Sequence, residues 1–471
     1  EALKDIARSE KDWDAYATHL HLALDLIEED DDRSELLVEA GHFYDDVRED
    51  DARAIGYFEL ALEQVPDCLD ALRPLAESYF RTEKWSDAER CYRGVVSQLD
   101  RSRDAAEYSK KNYRLGYICE KFENFEASVT FYKVAVEADP TSLPALEAWA
   151  HALLGQQAWH EAGKAFEVIV EKHGDELTEG ELIDARSQLG DIAIKLEEPV
   201  RAYEHFEHAL ALNSNHAHAL GALAGLDCDL RQWEKAADRF NQFSRVAPES
   251  EAQDALWRLA EIACEHLSDR PRGIDALERA HQRGSPRLDV LERLAELYLE
   301  SEQPALAISV LQDAVSIADD PGVRSELYYR LGLIYEQQVH NEPLAIESYN
   351  SALDAQCTNI RAFENIERVL VERQQWRLLE ENYRAMLGRA RSMNKAFRLV
   401  LWRNLAELYR QVFKDVQQAI AAYEVIRKMD PSRPDEAMIL ADLYALKPEY
   451  RSRAIDMQHR LVTQMKDPSV P

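Results

Sequence analysis

The chain has 471 residues, with 56 Lys and Arg against 88 Asp and Glu and a formal net charge of −32 at pH 7. Such a field repels phosphate backbones and anionic bilayers, so it argues against nucleic acid and membrane partners and favours a basic partner or plain solubility. Apolar residues at 46% suffice for a large core, and with only 16 Gly and 16 Pro the composition reads as helix almost throughout.

One pattern recurs from end to end. A small residue is followed by an apolar residue three places on, an Ala about twelve on, an aromatic about sixteen on and often a further Ala about nineteen on. The small anchors fall at Ala7, Gly41, Ala76, Gly116, Ala150, Gly190, Ala224, Ala260, Ala295, Gly332, Glu367, Ala406 and Ala441, with Glu367 the one exception in size. A unit of this length is one helical hairpin, which cannot bury its apolar face alone. The expectation is an all-α solenoid of about 13 hairpins, one continuous array over residues 1–471.

In chain order, the first unit is degenerate, with Trp13 and Tyr16 in a shortened turn, and the acidic run Glu28–Asp32 reads as a solvated helix end and loop. Ala76–Tyr79–Ala88–Tyr92, Gly116–Cys119–Ser128–Tyr132–Ala135 and Ala150–Leu153–Ala162–Phe166 follow. The pattern returns at Gly190–Ala193–Ala202–Phe206–Ala209, Ala224–Asp227–Ala236–Phe240 and Gly332–Tyr335–Ala345–Tyr349–Ala352. Small residues let two helices approach, and large ones fill the groove between neighbours.

Second helices open with Trp-x-x-Ala at Trp85, Trp159 and Trp233, spaced by 74, and Trp376 takes the same slot. Long and short anchor spacings alternate between Ala76 and Ala441, so the repeating unit there is a pair of hairpins. A second turn type places Glu198, Asp269 or Asn341 just before a proline, as a helix cap with Pro early in the helix. The longer links Leu99–Tyr108, Lys172–Glu181 and Leu387–Lys395 extend helix ends or form surface loops, and Ala454–Met465 hints at a capping helix.

These positions resemble the tetratricopeptide repeat. Tyr113, Leu115, Gly116, Ser128, Tyr132, Ala135 and Pro140 follow that family's pattern closely, as do Leu331, Gly332, Tyr335, Ala345, Tyr349 and Ala352. The resemblance covers nearly the whole chain and is similar to long bacterial arrays. It implies a right-handed α-solenoid, a superhelix with first helices on the concave face, and a function in binding peptides or partner domains rather than catalysis.

On that face the residues beside the anchor and one turn later include Asp45, Asp46, Glu77, Glu120, Asp191, Asp229, Glu261, Glu296, Glu336, Glu372, Glu407 and Asp442. Aromatic steps lie among them at Phe80, Tyr113, Tyr117, Trp257 and Tyr329. An acidic, aromatic groove attracts a Lys- or Arg-bearing segment, steered by charge and held by desolvated rings. The competing reading is that Glu beside Ala is an ordinary exposed helix former. Lys110 and Arg73 do not complete the Lys–Asn clamp with which some family members hold a terminal carboxylate.

A basic stretch at Arg384, Arg389, Arg391, Lys395, Arg398, Arg403 and Arg410, and arginines from Arg270 to Arg293, read as compensation for nearby Glu380, Glu381, Asp275 and Glu278. His205, His208, His216 and His218 lack the convergent third and fourth ligands a zinc site needs and read as helix-surface histidines. No phosphate loop, dinucleotide fingerprint or nucleophile elbow occurs, and His160-Glu161 lacks the second His of a zinc-protease helix.

No cofactor, metal or catalytic residue is therefore expected. Six cysteines without C-x-x-C pairing fit a reducing compartment, the cytoplasm. A start at Glu1 rather than Met reads as that of a fragment. The expected function is a non-enzymatic scaffold binding partner proteins with a basic segment in an acidic groove. The alternatives are a regulatory arm of a larger enzyme or signalling protein, and a structural oligomer.

Overall fold

A computed structural model of the protein describes residues 7–8, 11–27, 30–390 and 393–465. They form two compact units, Glu1–Val246 and Ala247–Pro471. The first holds α1 (Trp13–Leu26), α2 (Asp30–His42), α3 (Asp51–Gln64), α4 (Leu69–Arg81), α5 (Trp85–Gln98), α6 (Ala105–Lys121), α7 (Phe125–Ala138), α8 (Leu143–Gly155), α9 (Trp159–Lys172), α10 (Glu179–Lys195), α11 (Pro199–Leu212), α12 (Ala217–Asp229) and α13 (Trp233–Val246). The second holds α14 (Glu249–Glu265), α15 (Arg270–Gln282), α16 (Leu288–Glu300), α17 (Pro304–Ile317), α18 (Pro321–Gln337), α19 (Glu342–Ala355), α20 (Ile360–Glu372), α21 (Trp376–Arg389), α22 (Lys395–Glu407), α23 (Val416–Met429), α24 (Pro434–Ala445) and α25 (Arg451–Met465). No strand occurs among the described residues.

Each unit is an all-α helical repeat solenoid. Even-numbered helices are the first (A) and odd-numbered the second (B) helices of successive hairpins. Within a unit each helix packs on its chain neighbours, most extensively inside a hairpin, and A helices also meet one another, as α2 does α4 and α6 does α8. Helix α1 is the B helix of the first hairpin. Trp13 opens it as Trp85 opens α5, and buried Tyr16 donates its hydroxyl to Glu39 at 2.6 Å. The shortened turn expected at Trp13 and Tyr16 is thus the start of a regular helix. Of its A partner only the residues around Ala7, itself buried, are described. The run Glu28–Asp32 lies partly outside the described residues.

The A–B contact is set by anchor and ring. Gly41, Gly116, Gly190 and Gly332 each sit against a buried ring of their own B helix: Phe58, Tyr132, Phe206 and Tyr349. A Cβ built on Gly116 would lie 2.5 Å from Tyr132, and one on Gly190 2.5 Å from Phe206, so the ring occupies the space a side chain would need. The helix-weakening glycine is tolerated because the close approach buries a whole aromatic ring. Where the ring slot holds Ala276 or Leu311, the anchor is Ala260 or Ala295. Glu367 departs from the rule by hydrogen bonding: it accepts from the Tyr383 hydroxyl on its own B helix.

The alternating spacing has a simple origin. Helices α6, α10, α14 and α18 have 17 residues, whereas α4, α8, α12, α16 and α20 have 13. The added residues form one more turn before the anchor, so Tyr108 and Glu181, expected in links, are helical. That turn can fasten the end of its own hairpin. Ser34, Gln253 and Ser325 donate to the carbonyls of Ala61, Ala280 and Ala352, at 3.3, 3.0 and 2.8 Å, near the C-termini of their B helices. These carbonyls lie in the last turn of each B helix, and Ala61 and Ala352 accept the side-chain bond in addition to a backbone one, from Val65 and Gln356 at 2.9 Å.

The A–B turns share one backbone conformation. A single non-glycine residue with φ between 52° and 59° follows each A helix from α2 to α22: Glu49, Glu83, Glu123, Gln157, Glu197, Arg231, Ser268, Glu302, His340, Gln374 and Lys414. In the common form the next amide bonds back five residues, as Gln303 to Tyr298 at 2.8 Å, a left-handed helix stop. Four turns hold one more residue and bond back six, as Asn341 to Tyr335 at 2.7 Å and Asp269 to Ala263 at 2.7 Å. The two others absorb it as wide helical turns at Phe43–Val47 and Leu408–Phe413. Asp269 and Asn341 cap the following helix through their side chains, as expected, but Glu198 does not; its carboxylate binds Arg201 at 2.7 Å.

Gly332→Val should lower stability by about 2 kcal/mol or more through overpacking, while Gly56→Ala, where a Cβ meets nothing, should raise it by about 0.5–1 kcal/mol. Adding Tyr349→Leu to the valine variant should recover part of its loss, read as a positive coupling in thermal melts. Glu302→Gly should raise the melting midpoint, worth about 0.5–1 kcal/mol, by relieving the left-handed backbone.

Candidate functional site

In the first unit, the A-helix face is built where α4 meets α6. Phe80 and Tyr117 lie 5.4 Å apart between ring centroids, with Trp85 5.3 Å from Phe80 and 6.0 Å from Tyr117, and Tyr92 6.1 Å from Phe80. The four rings close the groove between the two helices. Arg114 lies 4.1 Å from the Phe80 centroid and Lys121 5.0 Å from that of Tyr117, so cations cover the rings from outside.

Glu77 is held in the same cluster. Buried Lys111 donates to it at 2.9 Å, and Arg114 approaches at 3.8 Å. Burial pushes the Glu77 carboxyl up, but the hydrogen bond and charge of Lys111 outweigh it and hold the group below the usual carboxylate range. Arg73, beside this cluster, is bidentate to Glu107 at 2.8 and 3.0 Å.

The structure thus brings together Glu77, Phe80 and Tyr117. Tyr113 lies half-buried with its ring 5.8 Å from Tyr132 of its own hairpin. Asp191 is separate, on α10, and pairs with His218 at 2.9 Å. That bond holds His218 above the ordinary histidine range, while burial pushes His205 and His216 down. The rings of His216 and His218 stand 6.4 Å apart. Among the described residues no group of three or more His, Cys, Asp or Glu is arranged to hold a metal ion.

Where the pattern has Asp227 in an apolar slot, the side chain is fully buried. Arg239 reaches it and also Glu207 and the Tyr203 hydroxyl. Burial raises the Asp227 carboxyl and Arg239 opposes that shift. The arrangement fixes α12 against α11 and α13, and Phe240 is left half-buried.

In the second unit, Trp257 and Glu261 share α14. Trp257 is half-buried, and Glu261 accepts from Arg258 at 3.3 Å. Glu296 on α16 is exposed and accepts from Arg293 at 3.1 Å. Glu336 accepts from the Tyr349 hydroxyl at 2.8 Å and from Arg368, with its side chain only 14% exposed. Tyr329 packs 5.8 Å from Tyr349, and Arg361 covers it at 4.7 Å. Glu296 also borders a cavity of about 320 Å³ between α16 and α18, whose walls include Leu299, Leu311, Leu333 and Ile334.

Four arginines of the basic stretch are compensated within the chain. Arg384 binds Glu380 at 2.9 Å, Arg389 binds Asp354 at 2.7 Å, Arg403 binds Glu436 at 2.5 Å and Arg410 binds Glu407 at 2.7 Å. Arg391 lies outside the described residues. All six cysteines are free thiols, and burial pushes Cys91 up to about 11. No helix among the described residues is long and apolar enough to cross a membrane.

The composition of the face was legible, but its covers were not. Lys111, Arg114, Arg361 and Arg368 engage residues about one hairpin away, a relation that sequence could show only as Lys or Arg recurring at fixed distances from an anchor. Much of the acidic row is consequently paired: Asp45, Glu77, Asp191, Glu261, Glu296, Glu336, Glu372 and Glu407 each have a cationic or histidine partner.

The Glu77 pair has a definite pH signature. A carboxyl held low in the folded state contributes stability above its ordinary pKa, and loses it as pH falls through the folded value. Glu77→Gln should therefore lower the melting midpoint at pH 7, where it strands buried Lys111. The gap to the unsubstituted chain should close as pH is brought down to about 3.

The sequence profile of the tetratricopeptide repeat matches residues 112–142, which cover the C-terminal part of α6, the turn after it and all of α7. No curated protein matches the sequence. Among solved structures, a chain of Naa15/Naa10 bound to HypK-THB aligns over 92% of this chain at 13% identity and a TM-score of 0.45. This chain spans only 64% of that neighbour's length. YrrB, a TPR protein with an unusual peptide-binding site, aligns over 44% of this chain and 98% of its own at 19% identity and a TM-score of 0.35. A tetratricopeptide repeat protein from Parabacteroides merdae aligns over 56% of this chain and 98% of its own at 15% identity and 0.33. At this level of likeness neither partners nor activity carry over. The matched hairpin, residues 112–142, is a tetratricopeptide repeat, and its packing of Gly116 on Tyr132 recurs at Gly41, Gly190 and Gly332.

Proposed function

We propose that residues 1–471 form one continuous array, and that it is a non-enzymatic scaffold holding segments of partner proteins along its A-helix face. Repeats of this family are generally non-catalytic interaction modules. The preferred partner carries a basic segment. The observation that carries this reading is the residue just after the anchor, which is acidic at Glu77, Asp191, Glu261, Glu296, Glu407 and Asp442.

Several of these carboxylates are fixed by a neighbour yet reachable from solvent. Asp191 and Glu261 are each 39% exposed, and Glu296 is 47% exposed. A carboxylate has lone pairs beyond those one arginine uses, so it can still accept from an incoming Lys or Arg. Because intramolecular pairing already orders these side chains, the partner bears most of the ordering cost. Charge then governs encounter and register more than final affinity. Phe80, Tyr113, Tyr117, Trp257 and Tyr329 supply half-buried aromatic surface beside the carboxylates.

Charge reversal tests this at exposed positions. Glu336 is a poor choice because it also holds Tyr349. Glu261→Lys with Glu296→Lys should weaken binding of a lysine-rich peptide at least tenfold at about 50 mM salt, and much less at about 300 mM, where the Debye length is shorter. Unchanged affinity at both salts, measured by fluorescence anisotropy, refutes electrostatic capture by this face.

A further inference from the structure

The groove between α4 and α6 and that between α16 and α18 are the same place in the repeat, one filled and one open. Counted from Ala76 and Gly116, the rings of the first groove are Phe80, Trp85, Tyr92 and Tyr117. Counted from Ala295 and Gly332, the same positions in the second are Leu299, Pro304, Leu311 and Leu333. All four rings are gone, and a cavity of about 320 Å³ stands between the helices. Position 304 is also the one break in the tryptophan series at 85, 159, 233 and 376.

The rest of the site is retained. Ile334 stands where Ile118 does, Glu296 where Glu77 does and Arg330 where Arg114 does. Arg114 lies over the Phe80 ring at 4.1 Å, whereas at Arg330 the position of that ring is held by Leu299. Arg330 instead approaches Glu292 at 3.7 Å, at the edge of the cavity.

We propose that this cavity receives an aromatic side chain from a partner polypeptide, which supplies in trans the ring that the first unit supplies from its own chain. This rests on the reading of the A-helix face as a protein-binding surface and names its specificity pocket. Leu299, Leu311, Leu333 and Ile334 provide the apolar walls, and Arg330 swings over the entering ring as Arg114 covers Phe80. Glu296, exposed at the mouth, meets a Lys or Arg flanking that aromatic residue, in keeping with the net charge of −32. A desolvated aromatic anchor inside a polar rim is the usual form of an interface hot spot.

The probe is a short synthetic peptide with one tryptophan between lysines, compared with the counterpart carrying alanine there, titrated into the full chain by fluorescence anisotropy. The tryptophan peptide should bind at least tenfold tighter, and L299F with L333Y, which restores rings at two of the vacant positions, should abolish that difference. In the unsubstituted chain the methyl resonances of Leu299, Leu311, Leu333 and Ile334 should move with the tryptophan peptide and not with its counterpart, a readout independent of how the filled variant folds.

Equal binding of both peptides, weakened alike by salt, overturns the pocket and leaves the acidic face standing. Preference for tryptophan without salt dependence supports the pocket and removes the electrostatic reading. Binding of neither peptide, or unmoved methyl resonances, overturns the pocket.

Discussion

The closest contact in each hairpin decides the rest. At Gly41, Gly116, Gly190 and Gly332 the A-helix anchor meets a buried ring of its own B helix, which lies where a Cβ would stand. That approach fixes the separation of the two helices. It also orients the A-helix residues on either side of the anchor, one toward the neighbouring hairpin and one toward solvent. Small and large are complementary volumes rather than separate preferences, so either partner changed alone leaves a clash or a void.

Polar groups then fix each hairpin against the next. Tyr79, Tyr298 and Tyr444, all three places after an anchor, donate their hydroxyls to Glu59, Glu278 and Glu424 on the preceding B helix. Ion pairs such as Lys111 to Glu77 and Arg361 to Glu326 span about one repeat. The exposed pairs add little stability individually. Their consequence is positional: they hold carboxylates along the A-helix face in fixed orientations. An acidic chain therefore presents an ordered array of acceptors instead of a diffuse negative cloud.

Variation within the repeat carries the individuality of this chain. The ring cluster around Phe80 seals one groove, and its aliphatic replacements leave a cavity beside Glu296. The buried Asp227 with Arg239 replaces an apolar contact by a charged network. The helical framework tolerates both, because each hairpin depends mainly on its neighbours and a local exchange does not propagate through the array.

The amino-acid sequence by itself determined the helical hairpins, their register and the paired repeat. Anchor and ring are local in sequence, and the alternation of long and short units shows in the spacing, although it left open whether the added residues were helix or loop. It also marked which carboxylates and rings share a face. Tertiary structure alone decided which of these are engaged. The cover of Phe80 by Arg114, the support of Glu336 by Arg368 and the opening between Leu299 and Leu333 depend on packing between hairpins. Residues about one repeat apart meet there at distances that no periodicity in the sequence encodes.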